Sequence, residues 1–318
     1  MKAARLPPSA APIALQEGSP EVPPVGWKRA GLAGRRWMQR AAFGLLWLAG
    51  LVAVAALAVI IVFVCVRGVG QVDLAFLTTP PRGGLSGAGG MSTTIVTTLL
   101  LVATTLSFAA PLGIGAAIYL AEYAAEHREA RGLGPLLVRA ARMGVETLAG
   151  VPSILFGLFG YALFVVVLDF GFSILSGALA GACLILPVII RTTEEALYTV
   201  PRSYREASLA LGATKWQTTW NVVLPSALPG IITGIVLSVG RIISETAVFY
   251  VTLGGSHNMP GSLLDSGRTM ALHLFYLATD TNAFDKAMAT GVVLIVSTLL
   301  INLVINLISR HLTAKAQG

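Results

Sequence analysis

Charge is scarce in this sequence. Of its 318 residues only 12% are charged and 55% are hydrophobic, and the mean hydropathy is +0.78. A soluble domain carries about 25% charged residues. This chain has too little polar surface to face water all round, which excludes a soluble enzyme and points to lipid as its solvent. Cysteine is nearly absent. Cys65 and Cys183 lie far apart inside apolar runs, with no partner at metal-ligand spacing, and read as small buried apolar residues. No G-x-x-x-x-G-K-[ST], H-E-x-x-H, C-x-x-C or G-x-S-x-G is found. The first absence removes the nucleotide cradle, and the others remove common metal and nucleophile sites. His127, His257, His273 and His311 are scattered. We therefore expect no catalytic residue, no metal and no cofactor bound by this chain.

What the sequence has is glycine, 34 residues of it, and long apolar runs. Small residues let spanning helices approach closely. Residues 1–40 are rich in Pro, Ala and Gly without a hydrophobic period, and read as a disordered cytoplasmic tail. Its length and polarity do not suit a cleavable signal peptide. A spanning helix needs about 20 mostly apolar residues, and six stretches qualify. They are Ala41–Val66 (a first transmembrane segment of about 41–67), Ser92–Ala121, Thr147–Leu168, Phe170–Ile190, Ala227–Val251 and Ala287–Ser309. Between the fifth and sixth, residues 252–286 are expected to hold a short helix at the outer surface.

The net charge of +7 taken alone suits nucleic acid or anionic lipid, but its distribution reports topology, and no nucleic-acid partner is expected. With the N-terminus inside, the inner segments hold most of the basic residues. The tail has Lys2, Arg5, Lys28, Arg29, Arg35, Arg36 and Arg40. The second–third connection has Arg128, Arg131, Arg139 and Arg142, and the fourth–fifth has Arg191, Arg202, Arg205 and Lys215. The C-terminal tail has Arg310 and Lys315. Outside are only Arg67, Arg82, Arg268 and Lys286. The positive-inside rule then places both termini in the cytoplasm.

The inner segment before the fifth span carries the sharpest local signal. Ser203 with Glu206 three residues on reads as a capping box. Gly212 can take the left-handed conformation that ends a helix, and Thr214 can cap the next. Trp216, Trp220 and Val223 share a helical face. Pro225 disfavours helix at Leu224, so a turn is expected there. The pattern Glu206–Ala207, then Gly212, then Leu224–Pro225 resembles the EAA loop of ABC importer permeases. Leu148–Ala149–Gly150–Val151–Pro152–Ser153–Ile154, the run Leu186–Pro187 to Leu197 containing Arg191–Thr192–Thr193–Glu194–Glu195–Ala196, and Gly240–Arg241–Ile242–Ile243–Ser244–Glu245–Thr246–Ala247 are similar to the PstA branch of phosphate-specific permeases. The resemblance covers about residues 90–310. Ser244 stands where that family more often has Gly, and the N-terminal tail is longer.

The resemblance implies an all-α, six-span permease of the type I ABC importer (MetI-like) fold, with a coupling helix at about 203–212. It implies a phosphate importer working by alternating access. The implied partners are a second permease subunit, a dimer of ATP-binding subunits that holds ATP and Mg, an extracytoplasmic phosphate-binding protein, and membrane lipid. Ser203, Glu206, Ala207, Gly212, Leu224 and Pro225 are the candidate residues for coupling to the ATPase. A permease for molybdate or sulfate, or an ATP-independent channel, are the other readings.

Arg241 falls inside the fifth span, where an arginine costs about 2.5–3.5 kcal/mol on insertion scales, and Glu245 is one turn on, on the same face. Arg191 closes the fourth span. These three are the candidate substrate path: arginine stays charged and its planar fork matches phosphate oxygens, with Glu245 competing for Arg241 so that the anion is released. A buried Arg241–Glu245 pair that only fixes packing is the other reading. Thr94, Thr98 and Thr105 share a face of the second span, and packing is favoured for them over anion contact.

Overall fold

The computed structural model describes residues 32–82, 87–124 and 133–317. They fall into two units, one ending at Ala58 and the other running from Val59. The first unit holds most of α1 (Leu32–Gly68), and every described side chain in it is uncovered. A helix apolar all round is stable only with lipid or protein about it. The helix begins at Leu32, before the expected Ala41. Residues 1–31 of the expected tail lie outside the described residues.

In the second unit the end of α1 passes through a 3-10 turn to α2 (Leu74–Thr78). Asp73 Oδ1 caps α2 by accepting from Phe76 N at 2.6 Å. Then come α3 (Ser92–Ile118), α4 (Leu133–Ala149), α5 (Ser153–Gly160), α6 (Ile174–Thr199), α7 (Arg202–Ala210) and α8 (Lys215–Thr218). They are followed by α9 (Leu224–Ser244), α10 (Ala247–Thr252), α11 (Met270–Thr279) and α12 (Phe284–Gln317). Three wider π-helical turns, Tyr119–Tyr123, Tyr161–Val167 and Thr219–Val223, extend α3, extend α5 and join α8 to α9. Among the described residues there is no strand, only isolated bridges at Pro81–Gly89 and Gly254–Gly267.

Five helical stretches are long and apolar enough to cross a membrane, and a sixth crossing requires counting a bent pair as one. That pair is the expected third span. Gly134–Ala149 and Ser153–Val167 meet at 109°, because Pro152 bars helix at Val151 and has no N–H to give. The expected span from Thr147 is therefore shorter, and α4 is a helix where only a connection was expected.

The expected fifth span is also broken. Glu245 is extended at ψ 131° and separates α9 from α10. At its other end the expected turn at Leu224 is absent: Leu224 is helical at φ −62° and ψ −46°, and one helical stretch runs from Lys215 to Ser244. A proline ring collides with the carbonyl four residues back. The π turn just before Pro225 shifts that carbonyl out of register, so the helix continues.

α6 is the central helix and the most buried of the spans. In lipid the hydrophobic effect does not press helices together, so contact depends on close packing of small residues. Gly234 of α9 faces Thr192 of α6, and Gly230 faces Ala196. Gly181 lies under Ile242 and Phe249, and Gly157 of α5 meets the backbone of Val248. Leu101, Ile185, Ile189, Ile242, Phe249 and Leu253 fill the space between. The threonine face of α3 serves packing, as expected: Thr98 Oγ1 donates to Thr94 O and accepts from Met270 N at 2.9 Å, holding the start of α11. That short helix was expected at the surface, yet Met270, Leu272, His273 and Leu277 are buried against its neighbours. Cys65 and Cys183 are free and partly buried.

The Gly234 contact gives a direct test. A Cβ there collides with Thr192, whereas one at Gly240 meets nothing within 4 Å. Gly234→Val should destabilise the chain by about 1–3 kcal/mol, the usual cost of overpacking, and Gly240→Ala should not. Thermal unfolding in detergent compares the two.

Candidate functional site

The segment expected to couple to an ATPase leaves the bundle where α6 ends. Pro201 sits at the N-cap of α7, with no side-chain cap. The helix starts at Arg202, two residues too early for Ser203 to cap it, so the expected Ser203–Glu206 capping box does not form. Gly212 takes φ +86° as expected and ends the helix. Thr214 caps α8 through a capping box with Gln217. The Trp216 and Trp220 rings lie 5.3 Å apart with their planes tilted by 57°, both uncovered, while Val223 is fully buried.

No residue of α7 is buried. One arginine holds it. Arg205 Nη2 donates to Glu122 Oε1 at 2.6 Å and to Leu197 O at 2.9 Å, and Nη1 donates to Val200 O at 2.8 Å. Nε lies 3.2 Å from both Glu122 oxygens. The guanidinium thus joins α7, the end of α6 and the π turn after α3. Ser208 and Thr218 hydroxyls, 2.9 Å apart, tie α7 to α8. Tyr204, Leu209, Leu211, Trp216 and Trp220 remain exposed around this frame. A rigid element with an uncovered apolar surface is built to receive another protein. Glu206 and Ala207 lie on it; Leu224 and Pro225 lie inside the continuing helix.

The membrane charges are arranged differently from the expectation. Arg241 and Glu245 do not pair. Glu245 is 8% exposed, and its Oε1 accepts from Ala247 N at 3.0 Å and Val248 N at 3.4 Å. The carboxylate caps α10, where free N–H groups and the helix dipole favour a negative charge. Arg241 is uncovered, and its guanidinium has no hydrogen-bond or ion-pair partner among the described residues. It continues an exposed stripe of α9: Ser226, Pro229, Thr233, Leu237, Arg241 and Ser244. Arg191 is likewise uncovered on α6. With Thr192 opposite Gly234 and Ala196 opposite Gly230, Arg191 lies near the level of Ile235. Arg241 is about 9 Å further along the antiparallel helices, at 1.5 Å per residue.

Sequence reasoning missed the Arg205–Glu122 clamp. The two residues are 83 apart, and only the acid at the apolar end of the second span hinted at a buried partner. It missed Arg142 as well, whose Nη2 lies 3.4 Å from Glu194 Oε1 and donates to Leu120 O at 2.8 Å, fastening α4 to α6 and α3.

With this geometry in view, comparison with known proteins is decisive. The family model for the binding-protein-dependent transport system inner membrane component matches residues 111–317. The chain belongs to this family. The probable ABC transporter permease protein YqgI of Bacillus subtilis is 32% identical over 285 residues, covering 85% of this chain and 94% of YqgI. The phosphate transport system permease protein PstA 2 of Mycobacterium bovis is 32% identical over 308 residues, covering 93% and 97%. PstA 1 of Mycobacterium tuberculosis is 42% identical over 172 residues, and there the match spans 54% of each chain. Among solved structures, the inward-facing MetNI methionine ABC transporter aligns with TM-score 0.51 at 21% identity over 69% of this chain and 93% of that one. A bacterial ABC transporter involved in alginate import aligns with TM-score 0.53 at 18% identity, over 69% and 78%. These two establish the fold as that of ABC importer permeases. This family member is thus a multi-pass membrane protein.

The clamp predicts a local effect. Arg205→Gln should raise amide hydrogen exchange over residues 202–211 by at least about tenfold, since each charged hydrogen bond contributes about 1.5–3 kcal/mol. Exchange in α6 should stay unchanged. Glu122→Gln should give the same pattern, read by mass spectrometry.

Proposed function

We propose that the chain is a permease subunit of an ATP-driven importer of inorganic phosphate. The observation that carries this reading is the 32% identity to a phosphate transport system permease along 97% of that relative. The chemistry of the chain agrees with it. Arg191 and Arg241 are uncovered, permanently charged, and able to meet a four-oxygen anion in bidentate fashion. Both termini lie in the cytoplasm, following the distribution of Lys and Arg.

In this mechanism a phosphate-loaded extracytoplasmic binding protein docks outside. A dimer of ATP-binding subunits grips α7 inside, with ATP and Mg held on those subunits. ATP binding moves α7, and the stiff stretch from Lys215 to Ser244 carries the motion to Arg241. A second permease subunit supplies the facing wall, and the path opens alternately to each side. The chain catalyses no bond chemistry. Arg241 and Arg191 hold the anion in turn. Glu245 serves the path by fixing the break after α9, since its carboxylate is committed to α10 and does not compete for Arg241. The uncovered apolar side chains around α7 favour this reading over an ATP-independent channel, which needs no docking helix.

Proteoliposomes containing the full complex should accumulate radiolabelled phosphate, with sulfate and molybdate competing poorly. Better competition by either would reassign the substrate. Arg241→Gln should lower the initial rate by about tenfold or more, as expected for loss of a charged hydrogen bond. Glu245→Gln keeps one acceptor for α10 and should retain more uptake than Glu245→Ala. A wild-type rate with Arg241→Gln, at normal complex levels, removes that residue from the path.

A further inference from the structure

A second basic site lies at the opposite end of the bundle from α7. The start of α6 is bonded to the 252–265 segment, through Ser173 N to Thr252 O, Ile174 N to Asp265 O and Leu175 N to Leu263 O. α7 follows the other end of α6, about 39 Å away for 26 residues at 1.5 Å each. Above that start is a cavity of about 330 Å3, lined by Pro81, Arg82, Gly87 and Ala88, by His257 and Arg268, and by α11. Small-ligand clefts begin at about that volume.

We propose that this cavity binds a phosphate-type oxyanion. Arg82, Arg268, His257, His273 and Tyr276 line it, and Asp280 is the one acidic lining residue. Arg268 is held in place: Nε donates to Gly255 O at 3.1 Å, and the guanidinium lies 4.2 Å from the centre of the Tyr276 ring. Its two Nη groups have no hydrogen-bond partner among the described residues, and they are the fork that suits an oxyanion. His273 is 4% exposed, and Nδ1 of both His257 and His273 is buried without a partner. Both nitrogens are closed off from the cavity as it stands, so the open fork of Arg268, with Arg82 beside it, carries the site, and the two imidazoles flank it. A cation is disfavoured by the two arginines, and no group of three potential metal ligands exists among the described residues. Burial, followed by the charges of Arg268 and His257, lowers His273 to about 3. It is therefore neutral at physiological pH, leaving the arginines as the standing charge. An anion would reverse the sign of the field both imidazoles feel. Lys286 Nζ donates to Gly87 O at 3.0 Å and steadies the cavity wall.

The preference for an anion follows from these residues alone. The choice of phosphate rests on the importer reading, and places this site as a first stop outside the Arg241 path. The same chemistry also fits the headgroup of an anionic lipid. The test uses the whole importer complex in phosphatidylcholine nanodiscs, with equilibrium binding of radiolabelled orthophosphate. A second arm replaces free phosphate with nanodiscs containing phosphatidylglycerol, and native mass spectrometry counts retained lipid. In an Arg241→Gln background, orthophosphate should still bind, and Arg268→Gln should weaken it by at least about tenfold. His273→Gln should weaken it too, and Arg268→Lys, which keeps the charge and loses the fork, should keep only part of it. Melting temperature and gel filtration check folding; His257→Gln, in the loop, replaces His273→Gln if that variant does not fold. Arg268-dependent retention of phosphatidylglycerol without orthophosphate binding overturns the first-stop role and assigns the site to lipid. Binding unaffected by Arg268→Gln and His257→Gln, or absent in both arms, overturns the site. Orthophosphate binding here by a wild-type complex that takes up no phosphate sinks the transport reading and leaves the site standing.

Discussion

Inside a bilayer no water is available to the backbone, so every N–H and C=O in the hydrocarbon must find its partner within the protein. Several departures of this chain from a straight helix are accompanied by a group that meets that demand. Glu245 gives its carboxylate to the free N–H groups of α10. The π turn at Thr219–Val223 absorbs Pro225, so the ladder resumes in α9 without a gap. Ser226 and Thr233 hydroxyls return hydrogen bonds to carbonyls four residues back. Interruptions satisfied in this way can persist at membrane depth, and they set the directions in which the helices run.

The same requirement ties α7 to the membrane charges. Because Pro225 bends nothing out of helix, the stretch from Lys215 to Ser244 is one stiff rod of about 45 Å at 1.5 Å per residue. α8 forms its lower end, and Arg241 lies near its upper end. α7 is bound to that lower end by Ser208 and Thr218 and to the bundle by Arg205. A displacement of α7 therefore reaches the charged position through helix and ion pair, with little flexible loop between. The close contact of Gly230 and Gly234 with α6 constrains how that rod can slide or turn.

Charge placement divides along the same axis. At the α7 end, arginines are consumed in structure: Arg205 with Glu122, Arg142 with Glu194. Midway, Arg241 is left unpaired because its neighbour Glu245 is spent on a helix start. At the far end, Arg268 is fixed by its Nε and the Tyr276 ring while its fork stays open. Whether an arginine is fixed or left open is decided by which acid or carbonyl lies within reach.

Much of this was readable from the amino-acid order. The apolar runs, the sparse charge, the EAA-type spacing of Glu206, Ala207 and Gly212, and the helix start at Thr214 depend on residues close in sequence, where period and turn chemistry are set locally. The pairing of Arg241 with Glu245 was misread, because one turn of helix was assumed where the backbone is extended. The Ser203 capping box failed for a similar reason, Pro201 having started the helix early. The Arg205–Glu122 clamp and the cavity under Arg268 and His273 were out of reach altogether. Each joins segments far apart in the chain, and which side chains meet there depends on how α3, α6 and α11 pack. Sequence alone determined that the chain crosses a membrane and breaks into short helices between Pro201 and Thr214. Only the tertiary structure decided which charges are spent and which stay open, since that depends on distances that no local pattern encodes.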